Sequence, residues 1–292
     1  MENDPLSITH SIDWLEASSH KMKYPEQLSP TMFDLVEKIP PKPRYETAWR
    51  LAPAGRLDIA DNPRQGVHLT LTGTDLQEFR GGGYSAYLML DYLKKYGATI
   101  SRMDFAADCK ADNDYPDKPR ITDIRTHIKN GWHEGLAHRT GYVPTDQDKG
   151  QTEYFGAIDA DVTGRAYDKA AEVGMLWEAW VRVELQARNK PATVLMANMV
   201  EHGISRAGTQ RIKDSLRFPF LYWYNQLMDN EAVELTKVGK PVPKWQRWMN
   251  GQVLASIENH ALEPADYAFL IDWLDKVGNI MDKFAPPDFT GT

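Results

Sequence analysis

The sequence predicts an α+β fold, a mostly antiparallel sheet that carries the active site, followed by a helical C-terminal part. Three observations lead there. Segments in which apolar and polar residues alternate recur through the earlier part of the 292-residue chain. After Pro191 the apolar residues recur at helical spacing instead. Three of the alternating segments also share one design, an apolar face backed by a face of Arg, Asp, Glu, Tyr and Lys.

Taken in order, residues 38–44 (KIPPKPR) form a proline-rich connector, because proline removes backbone donors and breaks both helix and strand. Residues 66–72 alternate and hold β-branched side chains, so they read as a strand ended by Gly73. Thr74 or Asp75 then caps a helix that begins near Leu76. Gly81, Gly82 and Gly83 interrupt it, and it resumes through Tyr87, Leu90 and Lys94 to stop at Gly97. A strand over 100–108, a helix over 121–130 and a polar loop over 140–150 follow. Strands over 152–156 and 165–169 make a hairpin, and 180–188 is a further strand. Helices are predicted over 191–202, 207–228, 244–260 and 264–284, their apolar stripes read as core. This divides the chain into an N-terminal α+β domain (1–97), a catalytic sheet region (98–190) and a helical part (191–292).

Composition narrows the setting. An apolar fraction of 42% and a charged fraction of 26% are those of a globular protein. The single cysteine, Cys109, precludes an intrachain disulfide and suits a reducing compartment. The first residues lack the apolar core of a secretory signal, and no run is long enough to span a membrane. The expectation is a cytoplasmic protein. The net charge of −7 opposes indiscriminate DNA binding, yet two stretches are basic. Residues 205–217 carry Arg206, Arg211, Lys213 and Arg217 against Asp214; residues 236–247 carry Lys237, Lys240, Lys244 and Arg247 with no acid.

The chemistry-bearing residues fall at even spacing, which puts each set on one face of its strand. They are Arg102, Asp104 and Asp108; Arg165, Tyr167 and Lys169; and Arg182, Glu184 and Gln186. Phosphodiester transfer needs these parts. Oxygen ligands for a divalent ion are available from Asp104 and Glu184, with Asp108 or Glu172 as a third. A phenol, Tyr167, can form a covalent phosphotyrosine. Arg165, Lys169 and Arg182 can offset charge on the phosphate. Residues 133–138 (HEGLAH) space their histidines five apart, not the four that a helical zinc motif requires.

At these residues the chain resembles the replication initiation factor family, the rolling-circle initiators of certain plasmids and filamentous phages, with relaxases of conjugative elements as relatives. The likeness lies in ordered blocks: SIDWL (11–15), GVHLTLTGTDLQEF (66–79), SRMDFAAD (101–108), EYFGAIDADVTGRAYDKAAE (153–172) and WVRVELQ (180–186). The turn after Gly156 is acidic here, with Asp159 and Asp161, where members often carry a basic or Ser-rich segment. The resemblance implies that Tyr167 is the nucleophile of a DNA-nicking, strand-transferring endonuclease and that Asp104 and Glu184 hold Mg²⁺ or Mn²⁺. It also implies origin DNA as partner, duplex and extruded single strand, with a host helicase and a second copy of the chain. No separate helix-turn-helix module precedes the blocks, which favours an autonomous initiator over a conjugative relaxase. The rivals are a catalytically idle DNA-binding relative and a metal nuclease that uses water. Neither the His-x-His pair of better-known rolling-circle nucleases nor the His-x-x-Arg of tyrosine recombinases is present.

Overall fold

Strand-period segments come first along the chain and pair with one another. The computed structural model describes residues 6–21, 33–62, 64–139 and 151–237. Ser7–Ser19 forms β1, and Asp34–Ile39 (β2), Thr47–Ala52 (β3), Arg56–Ile59 (β4) and Val67–Leu71 (β5) follow. Two helices, Gly73–Gly81 (α1) and Ala86–Lys95 (α2), lead into the long strand Thr99–Asp112 (β6). Then come Ile121–Lys129 (α3), Glu134–Gly135 (β7), Thr152–Phe155 (β8), Val162–Asp168 (β9), the short helix Lys169–Val173 (α4) and Glu178–Arg188 (β10). Asn189–His202 (α5), Ile204–Ser215 (α6), Leu216–Arg217 (β11) and Tyr222–Leu227 (α7) complete the described residues.

Nine of these strands form one antiparallel sheet in the order β2-β3-β4-β5-β1-β6-β10-β9-β8. The first strand of the chain therefore lies in the middle, between β5 and β6. The turn at Gly97 separates two regions whose strands hydrogen-bond in this same sheet. The expected α+β class is the observed one.

Alternation explains the layering. Met103, Phe105, Ala107 and Cys109 of β6 and Val181, Val183, Leu185 and Ala187 of β10 are buried on one face. Helices α5 and α6 pack on that face, α5 against β6 and β10 and α6 against β1. Gly208 of α6 is what lets this helix touch the sheet: a Cβ there would stand 2.3 Å from the Phe105 ring. The other face carries the even-numbered polar residues of β6 and β10. No helix among the described residues is long and apolar enough to cross a membrane.

Three local expectations are corrected. Helix α1 is capped at Thr72, not at Thr74 or Asp75. The strand ends one residue earlier, at Leu71, and Thr72 with Asp75 closes a capping box in which the Asp75 carboxylate accepts from the Thr72 amide at 2.7 Å. The single helix expected over 207–228 is broken after Ser215. Leu216–Arg217 pairs with β7, and Pro219 disfavours helical backbone at Phe218. The strand expected to run to Lys169 ends at Asp168, whose carboxylate caps α4 by accepting from the Ala171 amide at 3.0 Å. The helices expected over 244–260 and 264–284, the loop over 140–150, and Lys240 and Lys244 lie outside the described residues.

Candidate active site

Strand register gathers the candidate residues. On the polar face Tyr167 stands opposite Arg182, and Arg165 opposite Glu184. Across the next strand pair Arg182 stands opposite Asp108, and Gln186 opposite Asp104. Tyr167, Arg165, Arg182, Glu184, Asp104 and Asp108 thus form one patch spread over three adjacent strands. Lys169 reaches the same patch from the start of α4, its ammonium 5.7 Å from the centre of the Tyr167 ring.

Each charge in the patch has a partner. The Tyr167 hydroxyl donates to Glu184 Oε2 at 3.4 Å, and Arg165 Nη2 donates to Glu184 Oε1 at 2.6 Å. Asp104 receives Arg102 through Nε at 3.0 Å and Nη2 at 2.5 Å, with Gln186 Nε2 at 3.2 Å. Asp108 receives Arg182 through Nε at 2.8 Å and Nη2 at 2.9 Å, and the Trp180 indole at 2.7 Å. The remaining Arg182 nitrogen, Nη1, donates to Asp13 at 2.8 Å. Forked pairing of this kind fixes a guanidinium in place. Arg182 is consequently a buried, fixed cation behind the phenol, its nitrogens committed to two carboxylates.

Burial sets the protonation states. Tyr167 is only 6% exposed, and burial together with Glu184 holds its hydroxyl above the ordinary phenol range, while Arg182 and Arg165 oppose the rise. The phenol is therefore a neutral donor at neutral pH. Glu184, 2% exposed, is pushed up to about 7. Desolvation is the main cause; Arg165 opposes it, and the negative charges of Asp104 and Asp13 add to it.

Of the carboxylates expected to hold a metal, Asp104 and Glu184 lie on the same face of paired strands, both buried. The candidates for a third carboxylate do not join them. Asp108 points its carboxylate to Arg182 and Trp180, and Glu172 sits on α4, where it pairs with Lys169. Asp104 and Glu184 are themselves paired, with Arg102 and Arg165, so a cation there would have to displace those arginines. No group of three His, Cys, Asp or Glu side chains positioned to hold a metal occurs among the described residues. Residues 133–138 are not helical: Glu134 and Gly135 form β7, and His138 Nε2 bonds Glu153 at 2.8 Å.

The basic stretch at 205–217 lies on the other side of the sheet. Gly208 of α6 faces Phe105, on the packed face, so α6 and its Arg206, Arg211 and Lys213 stand behind the layer that carries Tyr167. Arg206 pairs with Glu231, and Arg217 with Glu134. Lys237 ends the described residues.

The residue that sequence reasoning missed is Asp13. It sits at a β-bulge, where the β1–β6 register slips between Ile12 and Trp14. The extra residue turns Asp13 toward Arg182 on the polar face. A signal was present: Ile12 and Leu15 are both buried although three apart, a spacing that regular alternation forbids.

Comparison with known proteins agrees with this architecture. The family model described as "Replication initiation factor" matches residues 98–281. The solved structure titled "Structure of Rolling Circle Replication Initiator Protein from Geobacillus stearothermophilus" is similar over 76% of this chain and 96% of that chain. Its TM-score is 0.58 and its identity 19%, a likeness of fold. No curated protein matches the chain.

Proposed function

We propose that this chain, which belongs to the replication initiation factor family, starts rolling-circle replication by nicking one strand of its origin with Tyr167. The observation that carries the reading is the contact between the Tyr167 hydroxyl and Glu184 Oε2, framed by Arg165, Lys169 and Arg182. It joins a nucleophile, a proton acceptor and cations in one patch.

In this mechanism the Tyr167 oxygen attacks the scissile phosphorus as its proton passes to Glu184 Oε2, the acceptor it already has. The bond from phosphorus to the 3′ oxygen breaks. The 5′ phosphate stays on Tyr167, and the departing 3′ oxygen takes a proton from solvent water to become the primer end for a polymerase. Arg165 and Lys169 offset charge on the non-bridging oxygens. Arg182 stays clamped by Asp108 and Asp13 and holds positive potential beside the developing phenolate. Asp104 and Glu184 would hold Mg²⁺ or Mn²⁺. Their oxygens suit a hard ion that keeps water and phosphate among its ligands, and the mutual repulsion felt by Glu184 is what a cation relieves. When bound, the ion polarises the phosphate.

The reading places the protein in the bacterial cytoplasm, with a phage or plasmid origin as substrate and a host helicase and a second copy of the chain as partners. Duplex DNA would lie along α6 and Lys237, while the unpaired strand reaches Tyr167 on the opposite face.

Covalent capture tests it. The protein is incubated with 3′-end-labelled single-stranded DNA and Mn²⁺ or Mg²⁺, then run on a denaturing gel. A labelled protein band that vanishes in Tyr167→Phe and with chelator is the expected result. Cleavage without a band assigns the attack to water, and binding without cleavage assigns the chain to idle relatives.

A further inference from the structure

Beside the nucleophile the polar face opens into a cleft of about 240 Å³. Arg165, Glu184, Arg139, Tyr154, Ile158 and Arg188 are among the residues that line it. Its charge is the reverse of the chain's. Three arginines face one carboxylate, and that carboxylate already pairs with Arg165.

Two of these arginines are only half used. Arg139 donates through Nε to the Gly156 carbonyl at 3.0 Å, and its guanidinium carbon stands 5.5 Å from the centre of the Tyr154 ring. Arg188 donates through Nε to Gln186 Oε1 at 3.0 Å. The terminal nitrogens of both have no partner among the described residues. A guanidinium held at Nε with its outer edge unengaged is prepared for an oxyanion. The cleft also has apolar surface in the Tyr154 ring and in Ile158, which is 78% exposed.

One acid of the turn helps to build this site. Asp161 accepts from the Asn189 side chain at 2.8 Å, and its carbonyl accepts from the Arg188 amide at 2.7 Å. One of the two acids of that turn thus pins the end of β10, where Arg188 sits.

We propose that this cleft binds the nucleotide next to the scissile phosphate in single-stranded DNA. Arg139 and Arg188 take its backbone phosphate, and Tyr154 with Ile158 receives the base. The ligand is single-stranded because a base must leave its duplex neighbours to lie on an aromatic ring. The assignment rests on Tyr167 as nucleophile, since the cleft is defined by its place beside that residue.

The test is fluorescence anisotropy with a short labelled oligothymidylate across a salt series, on wild-type protein, Arg188→Gln, Arg139→Gln/Arg188→Gln and Tyr154→Leu. Each is run with and without Tyr167→Phe. Arg188→Gln gives up only an exposed contact to Gln186, so it keeps the test valid if the double variant folds poorly. The double variant should bind at least about tenfold more weakly, with a salt slope reduced by about 1.4, roughly 0.7 for each lost phosphate contact. Arg188→Gln alone should show about half that change in slope. Tyr154→Leu should weaken binding roughly tenfold at an unchanged slope, as loss of one stacked base does. Wild-type affinity and slope in Arg188→Gln and in the double variant would overturn the assignment, even if Tyr167→Phe abolished covalent capture. Loss of binding in the cleft variants with no covalent product from wild-type protein would keep single-strand binding by the cleft but overturn its placement next to a scissile phosphate, together with the nicking reaction.

Discussion

Replacing Arg182 with Met tests whether the clamped guanidinium is a stabilising element, a cation for the reaction, or both. Arg182 is 4% exposed and gives three hydrogen bonds, two to Asp108 and one to Asp13. Methionine fills much of the space without charge, and it leaves Asp108 buried with only the Trp180 indole as donor. Removing one partner of a buried ion pair costs about 3–5 kcal/mol. For a folded unit of this size each kcal/mol lowers the melting temperature by about 2–4 °C, so a fall of roughly 10 °C is expected. Pairing Arg182→Met with Asp108→Leu removes the stranded charge and should restore a large part of the loss. Stability is read by denaturant unfolding, with a double-mutant cycle giving the coupling. The reaction is read separately, by covalent capture in the rescued double variant. If the cation also serves Tyr167, that variant is stable but captures DNA at a rate that climbs only at higher pH, because the phenol has lost a nearby positive charge. A single variant destabilised by less than about 1 kcal/mol would refute the stabilising role, since a buried unpaired carboxylate cannot be that cheap. An unchanged pH–rate profile in the double variant would refute the electrostatic one.

Other perturbations follow from the same geometry. Gly208→Ala drives a methyl into the Phe105 ring and should destabilise the chain by about 1–3 kcal/mol, read by denaturant melts; an unchanged midpoint would show that α6 can lift without loss. Glu184 titrates in the folded chain at about 7, above its ordinary value of 4.5, so its ionised form is disfavoured by folding. Its contribution to stability is complete below about 4.5 and lost as pH rises to about 7. Stability measured across that window should fall more steeply for wild-type protein than for Glu184→Gln, and parallel curves would contradict the raised value. Neutralising Arg206, Arg211 and Lys213 together should reduce the salt slope of duplex binding by about 2–3 if all three meet phosphates; an unchanged slope takes α6 off the DNA path.

Much of the site was legible because strand period and side-chain chemistry coincide in it. Arg102, Asp104 and Asp108 alternate with Met103, Phe105 and Ala107, so a single strand assignment placed all six correctly. The same held for Arg182 and Glu184. What failed did so where the period breaks. Asp13 lies in a bulge, which adds a residue to one strand and not to the other, and only the odd spacing of Ile12 and Leu15 hints at it. Lys169 continues the even count from Arg165 and Tyr167, but Asp168 stops the strand by capping α4. The break after Ser215 depends on β11 pairing with β7, far away in sequence, and no local propensity encodes that. The partners of Arg182 likewise belong to tertiary pairing: three strands distant along the chain meet at one guanidinium.

The central position of β1 has a consequence for how the chain comes to be folded. Ser7 pairs with Lys110, so β1 must wait for about a hundred further residues of chain before its neighbour β6 exists. Contacts that distant are slow to form, because a long loop must close before they repay its entropy. β5 can cover one edge of β1 earlier, but until β6 exists the other edge stays unpaired, and the chain is open to mispairing with its own copies. The event that closes the sheet also delivers Asp13 to Arg182. A partly assembled molecule therefore lacks the full clamp on Arg182 behind Tyr167, whose surroundings are complete only once β1 has joined β6.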